Sequence, residues 1–181
     1  IKQRAVDFKL GYRLPENNDL SFWAGFHSDT GDENTTDDSS QRYDSFYYDV
    51  YGQAGLMDFL RWGLFSFYNI GLDVDLTSTM TLGAEWLGFS RAQVQDGVEF
   101  GQAGRYMKSK INSGDIVLLG DKNLGDEFDI WIDFKFDSGM TLRGTFSSFF
   151  PGKAFEGAAS TSGSVPGSTV SQVLTQVGYF F

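Results

Sequence analysis

Hydrophobic and polar residues alternate with period two in several stretches of the chain, each long enough to cross a bilayer as a β-strand. The clearest stretch is 127–136. There Phe128, Ile130, Ile132, Phe134 and Phe136 point one way, and Glu127, Asp129, Trp131, Asp133 and Lys135 point the other. Successive side chains of a strand project to opposite faces, so one face is wholly apolar and the other mostly charged. A predicted turn at Asp137, Ser138 and Gly139 leads into a second strand. Met140, Leu142, Gly144, Phe146 and Phe150 extend its apolar face, while Thr141, Arg143, Thr145 and Ser147 extend its polar one.

The same form recurs twice upstream. Ile70, Leu72, Val74 and Leu76 alternate with Gly71, Asp73 and Asp75. A short turn follows at Thr77 and Ser78, and then Met80, Leu82, Ala84 and Trp86 alternate with Thr81, Gly83 and Glu85. The first hairpin pairs Val6, Phe8, Leu10 and Tyr12 with Leu20, Phe22, Ala24 and Phe26 across Pro15, Glu16, Asn17 and Asn18. Its opposite face carries Asp7, Lys9, Arg13, Ser21, Trp23 and His27. The last predicted strand runs over 169–181, with Val173, Thr175, Val177, Tyr179 and Phe181 outward and Gln172 and Gln176 inward. Its terminal Phe181, with Tyr179 and Val177 at alternate positions, resembles the C-terminal signal read by the barrel-assembly machinery. An aromatic there suits the membrane–water interface.

The connections alternate between short and long. Short turns lie near Asn17, Ser78 and Ser138; long polar segments occupy about 28–64, 91–125 and 151–168. Membrane β-barrels have short periplasmic turns and long extracellular loops, whereas a soluble domain rarely carries several loops of that size. The expected fold is therefore all-β: one antiparallel transmembrane β-barrel domain over 1–181, contributing the C-terminal seven or so strands of a larger barrel. Single-chain bacterial barrels have even strand counts, so the odd number predicts at least one preceding strand. An eighth strand within 47–60, where alternation is poor, is the alternative.

Composition fits this picture. No stretch approaches the about 20 uninterrupted apolar residues of a transmembrane helix. The mean hydropathy of −0.25 is what a barrel gives when only alternate residues meet lipid. The chain has no cysteine, which excludes disulfides and thiolate metal sites. A net charge of −10 argues against nucleic acid as a partner.

Beyond the pattern, an ordered set of segments resembles the alginate-export family of outer-membrane barrels. It comprises Ser28-Asp29-Thr30-Gly31-Asp32, then Phe46, then Gly52-Gln53-Ala54-Gly55-Leu56-Met57-Asp58 followed by Trp62, then Gly125-Asp126-Glu127-Phe128-Asp129, and finally Phe149-Phe150-Pro151-Gly152. The resemblance extends from about Leu20 to the end of the chain. Two features depart from it: Gly63-Leu64 follows Trp62 where the family has Asn nearby, and the chain shows no basic constriction suited to a polyuronate. The resemblance implies a channel in the outer membrane of a Gram-negative bacterium, without catalysis or cofactor. It would pass small hydrophilic solutes or an oligo- or polysaccharide by passive diffusion. Implied partners are outer-membrane lipid and lipopolysaccharide, the barrel-assembly machinery during biogenesis, and other envelope proteins.

The expected pore-lining residues are Asp7, Lys9, Arg13, Asp73, Asp75, Glu85, Glu127, Asp129, Asp133, Lys135 and Arg143. Charges of one sign on a pore wall select against ions of that sign, so this set predicts some cation preference. The alternative is that they only bond across strands and fill a narrow lumen. Correspondingly, the rival to a channel is a plugged barrel that works through its acidic loops. Two other readings of polar residues are weaker. Asp29, Asp32, Glu33, Asp37 and Asp38, like Asp121, Asp126 and Glu127, lack the spacing of an EF-hand and read as solvated loops. His27, the sole histidine, reads as an interfacial or lumen residue rather than the base of a hydrolase. The tryptophans and other aromatics read mostly as girdle or lipid-facing residues, with sugar stacking as the alternative.

Overall fold

The computed structural model describes residues 4–14, 19–31, 55–57, 59–60, 65–94, 98, 104, 108, 120–155 and 169–179. They form seven strands: β1 (Ala5–Leu14), β2 (Leu20–Asp29), β3 (Phe65–Thr77), β4 (Met80–Arg91), β5 (Asn123–Lys135), β6 (Met140–Pro151) and β7 (Val170–Tyr179), with a single 3-10 turn at Lys153–Phe155. All seven lie in one sheet in the order β1-β2-β3-β4-β5-β6-β7, every neighbour antiparallel. This all-β meander has the form of a partial barrel wall. Residues 15–18, 32–54, 58 and 180–181 lie outside the described set, and with them the first turn, most of the acidic run, Phe46, Asp58 and Phe181; so does Trp62. Among the described part of the candidate eighth strand, residues 55–57 and 59–60 contribute only an isolated bridge at Leu60.

The register keeps the predicted faces continuous across the sheet. Phe8 pairs with Phe26, Phe26 with Tyr68, Ile70 with Trp86, Trp86 with Phe128, Ile130 with Phe146, and Phe146 with Val173. A one-residue slip anywhere would send a whole strand's apolar set to the opposite face. The apolar side chains stand exposed, from Phe128 at 37% to Val173 at 77%. An exposed apolar belt running across seven strands far exceeds what a water-soluble surface carries. Aromatic pairs sit within it, Tyr68 against Trp86 at 5.3 Å and Tyr12 against Phe22 at 5.7 Å between ring centroids.

Strands reach further toward the long connections than alternation alone predicts. β2 continues through Asp29, β3 begins at Phe65, β4 runs to Arg91 and β5 starts at Asn123. At this end the inner face is apolar rather than polar. Phe65, Phe67, Leu87, Phe89, Leu124 and Phe149 are buried there. They are covered by Met57, Phe59 and Leu60 from the β2–β3 connection and by Ala154 and Phe155 from the 3-10 turn. Part of the connection expected over 28–64 thus folds inward onto the sheet. The reason is apolar burial: Phe59 lies flat on Phe149 with ring centroids 3.9 Å apart, and Phe155 meets Phe149 edge-on.

Candidate functional site

The inner face is layered from the short-turn end to the long-loop end. Nearest the short turns are ion pairs. Arg143 grips Asp133 through two bonds, Nε to Oδ1 at 2.6 Å and Nη2 to Oδ2 at 2.7 Å. The fork geometry of guanidinium and carboxylate fixes both side chains. Arg13 reaches Asp75 at 2.8 Å and lies 3.5 Å from Asp19, and Thr81 donates its hydroxyl to the other oxygen of Asp75. Lys135 is exposed at the same end.

Above these lies an aromatic layer. Trp23 of β2 leans across β3, and Trp131 of β5 leans across β4, so that the two indoles meet with centroids 6.0 Å apart. Gly71 and Gly83 make this possible, because a Cβ at either position would collide with the ring lying over it. The Trp23 indole N–H donates to Glu85 Oε1 at 2.9 Å, which sets the ring's angle. Cations flank the pair: Lys9 Nζ stands 4.8 Å from the Trp23 ring centroid, and the Arg143 guanidinium 5.9 Å from that of Trp131. The sequence places both tryptophans on the inner face but gives no sign that they touch.

The third layer is acidic. Glu85, Asp129 and Glu127 lie on adjoining strands, Glu85 opposite Asp129 in the β4–β5 register. Glu85 also accepts from the Asn69 side-chain amide. Two of these acids hold the inward-folded connection: the Leu56 amide donates to Asp129 Oδ2 at 3.0 Å and the Met57 amide to Glu127 Oε1 at 2.9 Å. Gly55, at φ +89°, lies so close that any side chain would strike the Glu127 carboxyl. Glu127 and Asp129 are fully buried as a result. Of the expected pore-lining residues, Asp7, Lys9, Arg13, Asp73, Asp75, Glu85, Asp133, Lys135 and Arg143 face the same side as these two but are not covered in this way.

Beside the acidic layer, His27 is buried between two carboxylates, Nδ1 at 3.2 Å from Asp7 and Nε2 at 2.8 Å from Asp29, and stacks on Phe67. Both ring nitrogens are engaged by acids. The Ser28 hydroxyl accepts from Ser66. No serine–histidine pair exists among the described residues, and Asp29, the described member of the acidic run, is committed to His27. Asp121 caps the start of β5, where Oδ1 accepts from the Asn123 amide and the carbonyl accepts from Arg91. Trp86 faces outward with Tyr68, in keeping with a girdle position.

A single antiparallel sheet with an exposed apolar belt outside and charged, aromatic and acidic layers inside is the wall of a membrane-spanning β-barrel. The chain belongs to the alginate export family, whose model matches residues 1–166. That match takes in β1, upstream of the segments that carry the sequence resemblance, and stops short of β7. No curated protein matches the chain. The family is one of outer-membrane export channels rather than enzymes.

Proposed function

We propose that this chain forms part of the wall of an outer-membrane channel through which small hydrophilic solutes or an oligo- or polysaccharide pass by passive diffusion. The observation that carries the reading is the two-sidedness of the sheet. Ile130 and Phe146 pair on the exposed apolar side, while their neighbours Asp129 and Ser147 pair on the inner side beside Glu85. Such a wall separates lipid from a polar interior only if the sheet curves around that interior. Lipid and lipopolysaccharide would contact the outer belt, and the alternation through Val177 and Tyr179 supports recognition by the barrel-assembly machinery. Acids outnumber bases among the inward residues, which favours cations and neutral solutes over polyanions.

Reconstitution of the full-length protein in a planar bilayer tests this. Stepwise conductance with a reversal potential on the cation-selective side is expected, and a protein that inserts but never conducts defeats the proposal. A second reading, a plugged barrel acting through its loops, draws on the apolar cluster around Phe59 and Phe149, which fills the inner face at the long-loop end. Conductance separates the two.

A further inference from the structure

The two faces of the sheet exchange polarity before the strands reach the long connections. On β3 the outward Ile70 and Leu72 are apolar and the inward Asn69 and Asp73 polar, but nearer the long-loop end Ser66 points outward between the inward Phe65 and Phe67. On β4 the outward Leu82 and Trp86 give way to Ser90, beside the inward Phe89. On β6 the outward Phe146 gives way to Ser148, beside the inward Phe149. Phe65, Phe67, Phe89 and Phe149 are all buried, under a strap formed by residues 55–57 and 59–60. A sheet that is dry inside and hydroxylated outside has the polarity of one standing in water, the reverse of a wall set in lipid.

The outward polar residues form a line across six strands. Ser28, Ser66 and Ser90 are in register, and the Ser66 hydroxyl donates to that of Ser28 at 2.8 Å. The line then steps toward the short-turn end, to Asp126 on β5, level with Gly88, and to Ser148 on β6, level with Phe128. Ser148 and Ser171 of β7 share a hydrogen bond of 2.8 Å. Barrel strands are tilted, so a membrane plane cuts successive strands at staggered positions. The short-turn end is staggered the same way: Ser21, one residue into β2, lies opposite Asp73, while β3 runs on to Thr77. Asp126 fixes the level most sharply. It faces outward, is partly exposed and enters none of the ion pairs among the described residues. A carboxylate turned toward lipid is tolerated only near the interface. Just across β4, Tyr68 lays the hydroxyl end of its ring over Gly88, the residue opposite Asp126. That ring has one apolar and one wet end, as an interface position demands. Phe150 stays exposed beyond the line, where an aromatic is also at home.

We infer that hydrocarbon contact ends at this line, and that the outward hydroxyls of Ser28, Ser66, Ser90, Ser148 and Ser171 meet the polar headgroups of the lipid leaflet on the long-loop side. The inference rests on the lipid-facing reading of the apolar belt and adds where that belt stops and which part of the lipid touches the wall above it. The hydroxyl line is continuous with the belt, so the same lipids cover both. A serine hydroxyl both donates and accepts, and so suits phosphate and sugar oxygens alike. The wall beyond the line is a rim standing clear of the hydrocarbon. The buried cluster around Phe149 and the strap over it are the dry core of that rim, at headgroup level or above.

The chain has no cysteine, so single substitutions in the full-length protein can each carry one bimane fluorophore. Ser66→Cys and Ile70→Cys on β3, and Asp126→Cys and Ile130→Cys on β5, form two pairs, the members of each roughly 13 Å apart along the strand. The labelled proteins are placed in phosphatidylcholine nanodiscs that hold a nitroxide either on the choline headgroup or at mid-chain. Headgroup and mid-chain lie roughly 10 Å apart in depth, so the quenching ratio of the two lipids should differ at least about twofold within each pair. Positions 66 and 126 are expected to favour the headgroup nitroxide, and positions 70 and 130 the mid-chain one. Stronger mid-chain quenching at 66 and 126 overturns the boundary. Quenching at 70 and 130 but by neither lipid at 66 and 126 overturns the headgroup contact. Absence of quenching at 70 and 130 defeats the lipid-facing reading itself. If Asp126→Cys fails to insert, Ser66→Cys and Ser90→Cys decide by the same ratio.

Discussion

Phe59 lies flat on Phe149, the rings 16° from parallel, and so joins a connection between β2 and β3 to the long-loop end of β6. The contact spans 90 residues of sequence, from position 59 to position 149, and turns a segment expected outside the barrel into part of its interior. Phe59→Ala should cost roughly 3–5 kcal/mol of local stability, the usual range for emptying a buried aromatic site. Limited proteolysis of the folded protein should then cut within the β2–β3 connection, while the heat-modifiable band of the barrel persists. Unchanged protease resistance would show that the ring does not hold the strap.

The Met57 amide and the Glu127 carboxylate are both buried, so the loss of the acceptor matters more than the loss of charge. Glu127→Gln keeps an oxygen for the amide and should be mild. Glu127→Leu leaves a buried N–H without a partner and should cost about 1–3 kcal/mol. Hydrogen exchange at the Met57 amide is the readout; similar acceleration in both variants would refute the anchoring role.

Ile130 sits mid-strand on the exposed face, paired with Phe146. Ile130→Arg should destabilise the barrel in liposomes by about 2–4 kcal/mol if that position meets the bilayer midplane. Gln172→Arg, on the inner face of β7, should change stability far less. Chemical unfolding of the two variants compares them, and equal costs would mean the faces are misassigned.

Trp23 and Trp131 meet only because Gly71 and Gly83 leave the wall bare beneath them. Gly71→Val or Gly83→Val should drive the indole above it off the wall. Acrylamide quenching of tryptophan fluorescence should rise in the folded variant. Quenching equal to that of the native protein would show that the glycines do not set the pair.

The Arg143–Asp133 fork is partly exposed, with side chains 38% and 22% accessible. A double-mutant cycle should give a coupling of about 1 kcal/mol or less, since solvent screens such pairs. Arg143→Lys keeps the charge but loses the fork, so it should recover only part of that coupling.

Alternation was readable wherever the two faces meet different solvents. The stretches around Ile70, Trp86, Phe128 and Phe146 all lie on the predicted sides. It failed toward the long loops, where Phe67, Leu87, Phe89 and Phe149 put apolar groups on the inner face as well. A strand covered on both sides reads as a continuous apolar run, and Phe149-Phe150 is the visible trace of that double burial. Nothing local marks what covers it.

By itself the sequence determined the strand order, the faces and the membrane character, because period-two patterning is a local property that each strand carries alone. It also located the charged inner residues. Only the tertiary structure decided which of those charges are spent and which stand open. Glu127, Asp129 and Asp133 fall alike on the polar side of one alternating strand, yet the first two bond a loop some 70 residues upstream, as the Met57–Glu127 separation shows. That partnership depends on how the connection closes over the barrel wall, a long-range burial of Met57, Phe59 and Leu60 that no short-range pattern encodes.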